Sequence, residues 1–178
     1  TAEKASSVAT SASVVASAAS ITANSAKSIA VAASNKAKSA GDVAASVATR
    51  FPKDQSVASL ATAAGNAVSL ASSYAAGAIE DASLASSYAT AASQANGVAS
   101  ETASLANSAY VNGNISEASS YAASASKAAT EASSAADKGK NAATKALSEA
   151  YAASSAANDA ASIAVAASTA ASSLASSI

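Results

Sequence analysis

Cysteine, histidine, methionine and tryptophan are all absent from the 178 residues of this chain. Without cysteine there are no disulfides or thiolate metal sites, and without histidine the usual general base and the commonest metal ligand are missing. Glu80 and Asp81 form the one adjacent acidic pair, which we interpret as part of a solvated helix face. The sequence predicts a protein that is not an enzyme. It indicates no catalytic, cofactor-binding or metal-binding residues and identifies no binding residue.

Net charge and strongly apolar runs are also scarce. Ten Lys and Arg residues oppose eleven Asp and Glu residues, which gives a net charge of −1. A chain so balanced lacks the basic surface that nucleic acids and anionic membranes attract. No run of strongly apolar residues approaches the roughly 20 that span a bilayer. We therefore expect neither a nucleic-acid partner nor insertion into a membrane.

Few residues interrupt a helix: the chain has one proline and six glycines, whereas alanine and serine supply more than half of it. Alanine is the best helix former and serine is roughly neutral. Disorder usually accompanies high net charge and few apolar residues, but here 51% of the residues are apolar. The composition predicts long helices. Because most of the apolar residues are alanine, a packed interior requires the helix backbones to approach closely.

Alanine recurs at every seventh position of the first fifty residues, and we call a set of residues seven apart a column. Two columns are Ala2, Ala9, Ala16, Ala23, Ala30, Ala37, Ala44 and Ala5, Ala12, Ala19, Ala26, Ala33, Ala40, Val47. A third contains Val8, Val15, Ile29 and Val43, interrupted by Thr22 and Lys36. Columns that lie side by side predict one apolar stripe on a helix. A strict seven-residue repeat predicts a left-handed supercoil.

The motif SLASSYA occurs at residues 69–75 and again at 83–89, fourteen residues later. It belongs to a second helical region with an unbroken Ala column from Ala64 to Ala106. The flanking columns are Leu70, Gly77, Leu84, Ala91, Val98, Leu105 and Leu60, Tyr74, Asp81, Tyr88. We expect Leu and Tyr to fill space that Ala would leave empty. A Leu84→Ala change would then cost about 2–4 kcal/mol if Leu84 is fully buried.

The first break in this pattern is RFPKDQS, residues 50–56. Pro52 disfavours a helical conformation at Phe51. Asp54 or Ser56 is suited to cap the helix that follows. These residues predict a turn between the first two helices.

The second break is YVNGNISEA, residues 110–118. Asn112-Gly113 is a turn signal. Asn114 with Glu117 resembles a capping box in which Asn replaces the usual Ser or Thr. After it, one column contains Ala122, Ala129, Ala136, Ala143, Ala150, Ala157, Ala164 and Ala171. Its companion contains Ala125, Ala132, Gly139, Ala146, Ala153, Ala160, Ala167 and Leu174.

Short turns make consecutive helices antiparallel neighbours. We therefore predict a single domain over residues 1–178, an all-α, elongated, antiparallel three-helix bundle with left-handed supercoiling. Its longest helix would span roughly 90 Å. Alanine in facing columns is typical of Alacoil packing, with helix axes at or below the short end of the usual 8–10 Å or so. The predicted helices are about 2–49, 56–110 and 115–177, with turns at about 50–55 and 111–114.

Alanine in both facing columns, with serine abundant outside them, resembles two families. One comprises the Ala- and Ser-rich helical stalk repeats of Gram-positive cell-wall adhesins. The other comprises the Ala-core coiled-coil silks of bees, ants and wasps, whose helices are long, continuous and associated between chains. Pro52 and Asn112-Gly113 fold the present chain back on itself, so it resembles the stalk repeats more closely. Fish antifreeze helices are also Ala-rich, but the threonines here do not follow their eleven-residue spacing.

The stalk resemblance implies a non-enzymatic spacer in a secreted or cell-surface protein of the cell wall, which projects a binding domain outward. Its partners would be neighbouring domains or repeats of the same polypeptide, with weak self-association. The alternatives are a self-assembling silk-like fibrous protein, an ice-binding helical protein and a module that binds a protein through one helix face. Outward serines would keep the helices soluble, or carry O-linked sugars as in serine-rich adhesins.

Five residues prompt more specific hypotheses. Asp81 interrupts an otherwise apolar column, so it is either solvated or a polar residue that fixes helix register. Gly77 and Gly139 lie in interior columns, where a missing side chain allows closer contact. Phe51 either closes one end of the core or contacts a neighbouring domain. Asn114 begins an Asn-Ile-Ser triplet that fits an N-glycosylation site if the protein is secreted by a eukaryote.

Overall fold

The computed structural model describes residues 1–176, and these residues form three α-helices and no strand. The helices are α1 (Ala2–Arg50), α2 (Gln55–Val111) and α3 (Ile115–Ser176). The prediction of an all-α three-helix fold is therefore confirmed. The observed helix ends differ from the predicted ones by at most one residue. Residue 177, where we placed the end of the third helix, lies outside the described residues.

The first turn caps the helix that follows it, and the second ends the helix that precedes it. At the first, the Asp54 carboxylate accepts a hydrogen bond of 2.9 Å from the Val57 amide, as an N-cap residue does. At the second, Gly113 has a φ of 79°, a left-handed conformation that glycine adopts without steric cost. The backbone N–H of Asn114 then donates to the Ala109 carbonyl at 2.9 Å, which is the long-range hydrogen bond of a Schellman motif. Local sequence alone accounts for both turns.

The chain divides into two compact units, and all three helices contribute to each. Unit 1 contains residues 1–24 and 81–145, and unit 2 contains residues 25–80 and 146–176.

In unit 1, α2 runs antiparallel to both of its neighbours. Ser6 pairs with Ser100 and Ser20 with Ser86, so residue numbers rise along α1 as they fall along α2. Between α2 and α3 the contacts are Asp81 with Lys145 and Tyr88 with Lys138, again in opposite order. Grooves lined by residues 1–8 with 126–133, and by 7–15 with 133–140, show that α1 and α3 are parallel.

Unit 2 has the same arrangement. The Ser34 and Ser72 hydroxyls lie 3.2 Å apart, and Gly41 faces Val68, so α1 and α2 are antiparallel. Gly77 of α2 faces Glu149 of α3. The Lys36 ammonium donates a hydrogen bond of 2.8 Å to the Asn158 side-chain oxygen, which joins α1 to α3. In both units, therefore, each helix packs against the other two.

The alanine columns occupy the interior of both units. All of the buried hydrophobic residues except Val47 and Val57 are alanine, and many of them are completely inaccessible. The α3 column that contains Lys127, Ser134 and Asn141 is polar and exposed throughout. On each helix, therefore, the buried positions are mostly alanine.

The flanking apolar columns are less buried than we expected. Leu84 is 42% exposed and Leu70 is 50% exposed, and Val8, Ile29 and Val43 are similarly exposed. The reason is geometric: an alanine side chain is short, so the interior between the helices is narrow and the next column falls at its edge. The expected cost of 2–4 kcal/mol or so for Leu84→Ala applied only to full burial, and a smaller cost follows from the observed exposure.

One end of unit 2 has larger interior side chains. Val57 is fully buried, and it forms a cluster with Val47, Ala44, Ala64, Ala167 and Ala171. Phe51, Leu60, Ile163 and Leu174 pack against this cluster. The Arg50 guanidinium lies 5.9 Å from the centre of the Phe51 ring. Of the two hypotheses for Phe51, the structure therefore supports closure of the core.

Candidate functional site

Chemical groups of the kind that enzymes use are sparse. Within residues 1–176, no three His, Cys, Asp or Glu side chains come together in a way that could hold a metal ion. The charged side chains are dispersed over the helices, and only one of them, Asp81, is buried in this part of the chain. The site with the most distinctive chemistry is therefore the surroundings of Asp81.

Asp81 lies in unit 1, where its side chain is 4% exposed. Lys145 of α3 places its ammonium 3.3 Å from one carboxylate oxygen of Asp81 and 3.2 Å from the other, and it donates a hydrogen bond to the first. The Lys145 side chain is 67% exposed, so the ammonium stays in contact with water while it covers the buried carboxylate. The expectation that Asp81 belongs to a solvated face is thus wrong, because its column turns toward α3. Glu80, one residue earlier, is exposed as expected.

A second carboxylate approaches the interior in unit 2. A Cβ atom at Gly77 would lie 2.5 Å from a carboxylate oxygen of Glu149, so the missing side chain leaves the space that this carboxylate occupies. Gly139, in unit 1, is different: a Cβ there would lie 3.6 Å from the Tyr88 Cβ, an ordinary contact. Our expectation of close packing at both glycines therefore holds for Gly77, whereas Gly139 has room for a methyl group.

Serine pairs join α1 to α2 at regular intervals. In unit 1 the hydroxyls of Ser6 and Ser100 are 3.2 Å apart, and those of Ser20 and Ser86 are 3.0 Å apart. The Ser34–Ser72 pair of unit 2 is 3.2 Å long. Ser72 and Ser86 are the fourth residues of the two SLASSYA copies, and their partners on α1 are also fourteen residues apart. The repeat therefore places one hydroxyl pair in the α1–α2 contact of each unit.

Concave surfaces are shallow and open. In unit 1 a groove between α1 and α3 is lined by Lys4, Val8, Ala129 and Ser133. In unit 2 a similar groove is lined by Val43, Ala164, Val165 and Ser168. Neither groove combines buried polar groups with an enclosed apolar cavity, which is the usual form of a small-molecule site.

The α2–α3 turn exposes apolar side chains next to the glycosylation triplet. Tyr110 is 66% exposed, Val111 76% and Ile115 61%. Asn114 is exposed, and its side-chain amide donates a hydrogen bond of 3.3 Å to the Glu117 carboxylate. This bond links the two side chains that we expected to form a capping box. Glycosylation of Asn114 stays a prediction.

By length and composition alone, α1 qualifies as a candidate membrane span. An 18-residue window of this helix has a mean hydropathy of 1.2, and 28% of that window is buried in the protein. A helix that packs in the core of a soluble protein meets the same two criteria, so the finding is weak evidence for insertion. Our expectation of no membrane insertion stays a prediction.

No protein-family model, no curated protein and no solved structure matches this chain. The class of protein is therefore defined by its own architecture. It is a three-helix protein with an interior built almost entirely from alanine methyl groups.

Proposed function

We propose that this chain is a structural spacer, a stalk module of a secreted or cell-surface protein that holds a neighbouring domain away from its attachment point. The observation that carries the proposal is the length of the helices, which contain 49, 57 and 62 residues. A helix of 62 residues has a length of about 90 Å at a rise of 1.5 Å per residue. Most helices of globular proteins are several times shorter.

The interior supports the same proposal. Alanine side chains have no rotamers, so helices that pack through them cannot accommodate a bend by rearranging their side chains. We further propose that the alanine columns pack as an Alacoil with left-handed supercoiling, because the seven-residue spacing is kept along each helix. Helices in such close contact would resist bending together, which is the mechanical property that a spacer needs.

Small-angle X-ray scattering of the isolated chain over a concentration series tests the proposal. We expect a monomer with a maximum dimension of about 90 Å at every concentration. The matched variants are Ser134→Pro and Ser134→Ala, at an exposed position inside α3. Proline breaks or kinks a helix interior, so only the first variant should change the scattering curve. A maximum dimension near 50 Å for the unmodified chain would rule out the spacer.

Self-assembly through exposed apolar side chains is the second candidate function. Val14 and Ile21 of unit 1 are 64% and 69% exposed and lie seven residues apart on α1. Such spacing suits pairing with a helix of another copy. If assembly is the function, mass should grow with concentration, and the Val14→Lys/Ile21→Lys variant should stay monomeric. The spacer proposal predicts a monomer in both cases.

A further inference from the structure

Alanine columns carry little information about helix register. In unit 1, Ala85, Ala92 and Ala99 of α2 are buried, as are Ala125 and Ala132 of α3. A shift of α2 along α3 by seven residues would replace each of these alanines by the next residue of its column, which is alanine in every case except Gly139. The packing of methyl groups would be almost unchanged. The register must therefore be determined by residues that break the repeat.

Asp81 is such a residue. It interrupts the column of Tyr74 and Tyr88, it is the one buried charged residue of the described chain, and it has a cation, Lys145, directly opposite on α3. A buried carboxylate is tolerated when a cation and hydrogen bonds accompany it, and it is strongly unfavourable without them. The energy of the Asp81–Lys145 pair therefore depends on the helix register, whereas the energy of the alanine contacts hardly does.

We propose that Asp81 fixes the register of α2 against α3 in unit 1. If α2 shifted so that Asp81 advanced seven residues along α3, the residue opposite would be Ala152 instead of Lys145. The carboxylate would then be buried against a methyl group. Buried polar residues that specify register in this way, at some expense of stability, are known from coiled coils.

A shift in the opposite direction is resisted by a different contact. There Asp81 would face Lys138, a second lysine, and would keep a cationic partner. In unit 2, however, Glu149 would then face Leu70 instead of Gly77, which now leaves space for its carboxylate. In the first direction Glu149 would likewise leave Gly77 and face Leu84, so that shift is disfavoured by both carboxylates and the opposite one by Glu149 alone. The α2–α3 turn also limits sliding, so the experiment must separate the turn from Asp81.

The test uses a variant in which Asn112–Asn114 is replaced by a flexible Gly-Ser linker of about ten residues, so that the connection tolerates either register. The chain contains no cysteine, so every disulfide that forms must join introduced cysteines. Gly139→Cys with Tyr88→Cys reports the observed register, because the two Cβ positions are 3.6 Å apart, within disulfide range. Gly139→Cys with Ala95→Cys, one column step further along α2, reports the shifted register.

With Asp81 present, oxidation should cross-link the first cysteine pair in preference to the second by about a hundredfold or more, as the penalty for an unpaired buried charge requires. With Asp81→Ala, the preference should fall at least tenfold, and the second pair should cross-link measurably. Glu80→Ala is the matched control, since it removes an exposed carboxylate from the adjacent position and should leave the preference unchanged.

Two outcomes would overturn the proposal. One is that the linker variant with Asp81 already cross-links both pairs equally. The other is that Asp81→Ala retains the full preference, which would mean that other contacts, such as that of Glu149 with Gly77, set the register without Asp81. Asp81→Asn, which keeps the size of the side chain and removes its charge, should behave like Asp81→Ala. Helical circular dichroism of each variant verifies that it is folded. The proposal does not depend on the spacer function, and the scattering experiment can fail while this one succeeds.

Discussion

The core of unit 1 and the closed end of unit 2 are built from the same three helices with different side chains. In unit 1 every buried hydrophobic residue is alanine, and the hydrophobic cluster has Val15 as its one larger neighbour. In unit 2 the cluster next to the first turn contains Val47 and Val57, with Phe51 and Leu60 packed against it.

The difference shows two ways in which a narrow interior is stabilised. A buried CH₂ or CH₃ group contributes about 0.8 kcal/mol, so an alanine interior depends on many repeated small contributions together with the high helix propensity of alanine. A buried valine contributes about 1.5–3 kcal/mol at one position. Enlarging a buried side chain should therefore destabilise unit 1 most, whereas truncating a buried side chain should destabilise the closed end of unit 2 most.

The largest effect should come from enlarging an alanine of unit 1. Ala132 is completely buried, and leucine there would force the helices apart. Ala132→Leu should lower the free energy of unfolding by about 3 kcal/mol, as overpacking of a dense core does. Urea unfolding measures it, with the exposed Ser134→Leu as the control that should change little. If Ala132→Leu left the free energy of unfolding unchanged, unit 1 would have to contain unfilled space.

Truncation at the closed end of unit 2 should have the next largest effect. Val57→Ala should lower the free energy of unfolding by about 2 kcal/mol, because it removes two methyl groups from a fully buried site and leaves a cavity. Leu84→Ala in unit 1 loses one more carbon, but its site is 42% exposed, so we expect about 1 kcal/mol. Should Leu84→Ala prove the more damaging of the two in urea unfolding, the contrast between the regions would be refuted.

The smallest effects should distinguish the interior glycines. Gly139→Ala in unit 1 should raise the free energy of unfolding by about 0.5–1 kcal/mol, because alanine favours the helix and the new methyl group finds an ordinary contact. Gly77→Ala in unit 2 should give no gain, since its methyl group would collide with the Glu149 carboxylate. Gly97→Ala, with no neighbour within 4 Å, is the control for helix propensity alone. Equal gains at Gly77 and Gly97 would show that Glu149 moves aside freely.

The helices, their turns and their apolar columns could be predicted because each depends on residues close together in sequence. The lysine opposite Asp81 could not, because its identity depends on the register between helices whose contacting residues are 64 positions apart. The exposure of Leu84 was missed because a column pattern identifies a side of the helix, whereas the width of the interior depends on alanine side chains on all three helices. The serine pairs had a usable signal: serines fourteen residues apart occur on both α1 and α2, matching the SLASSYA repeat.

The measurement that tests the contrast most directly is native-state hydrogen exchange at two amides of α2. Ala64 belongs to the cluster of unit 2 and Ala103 to the all-alanine cluster of unit 1, and they lie at similar distances from the two ends of the helix. Exchange of buried amides reports the free energy of local opening. We predict that Ala64 exchanges about tenfold more slowly than Ala103, because its cluster has larger buried side chains. Equal rates, or slower exchange at Ala103, would contradict the account.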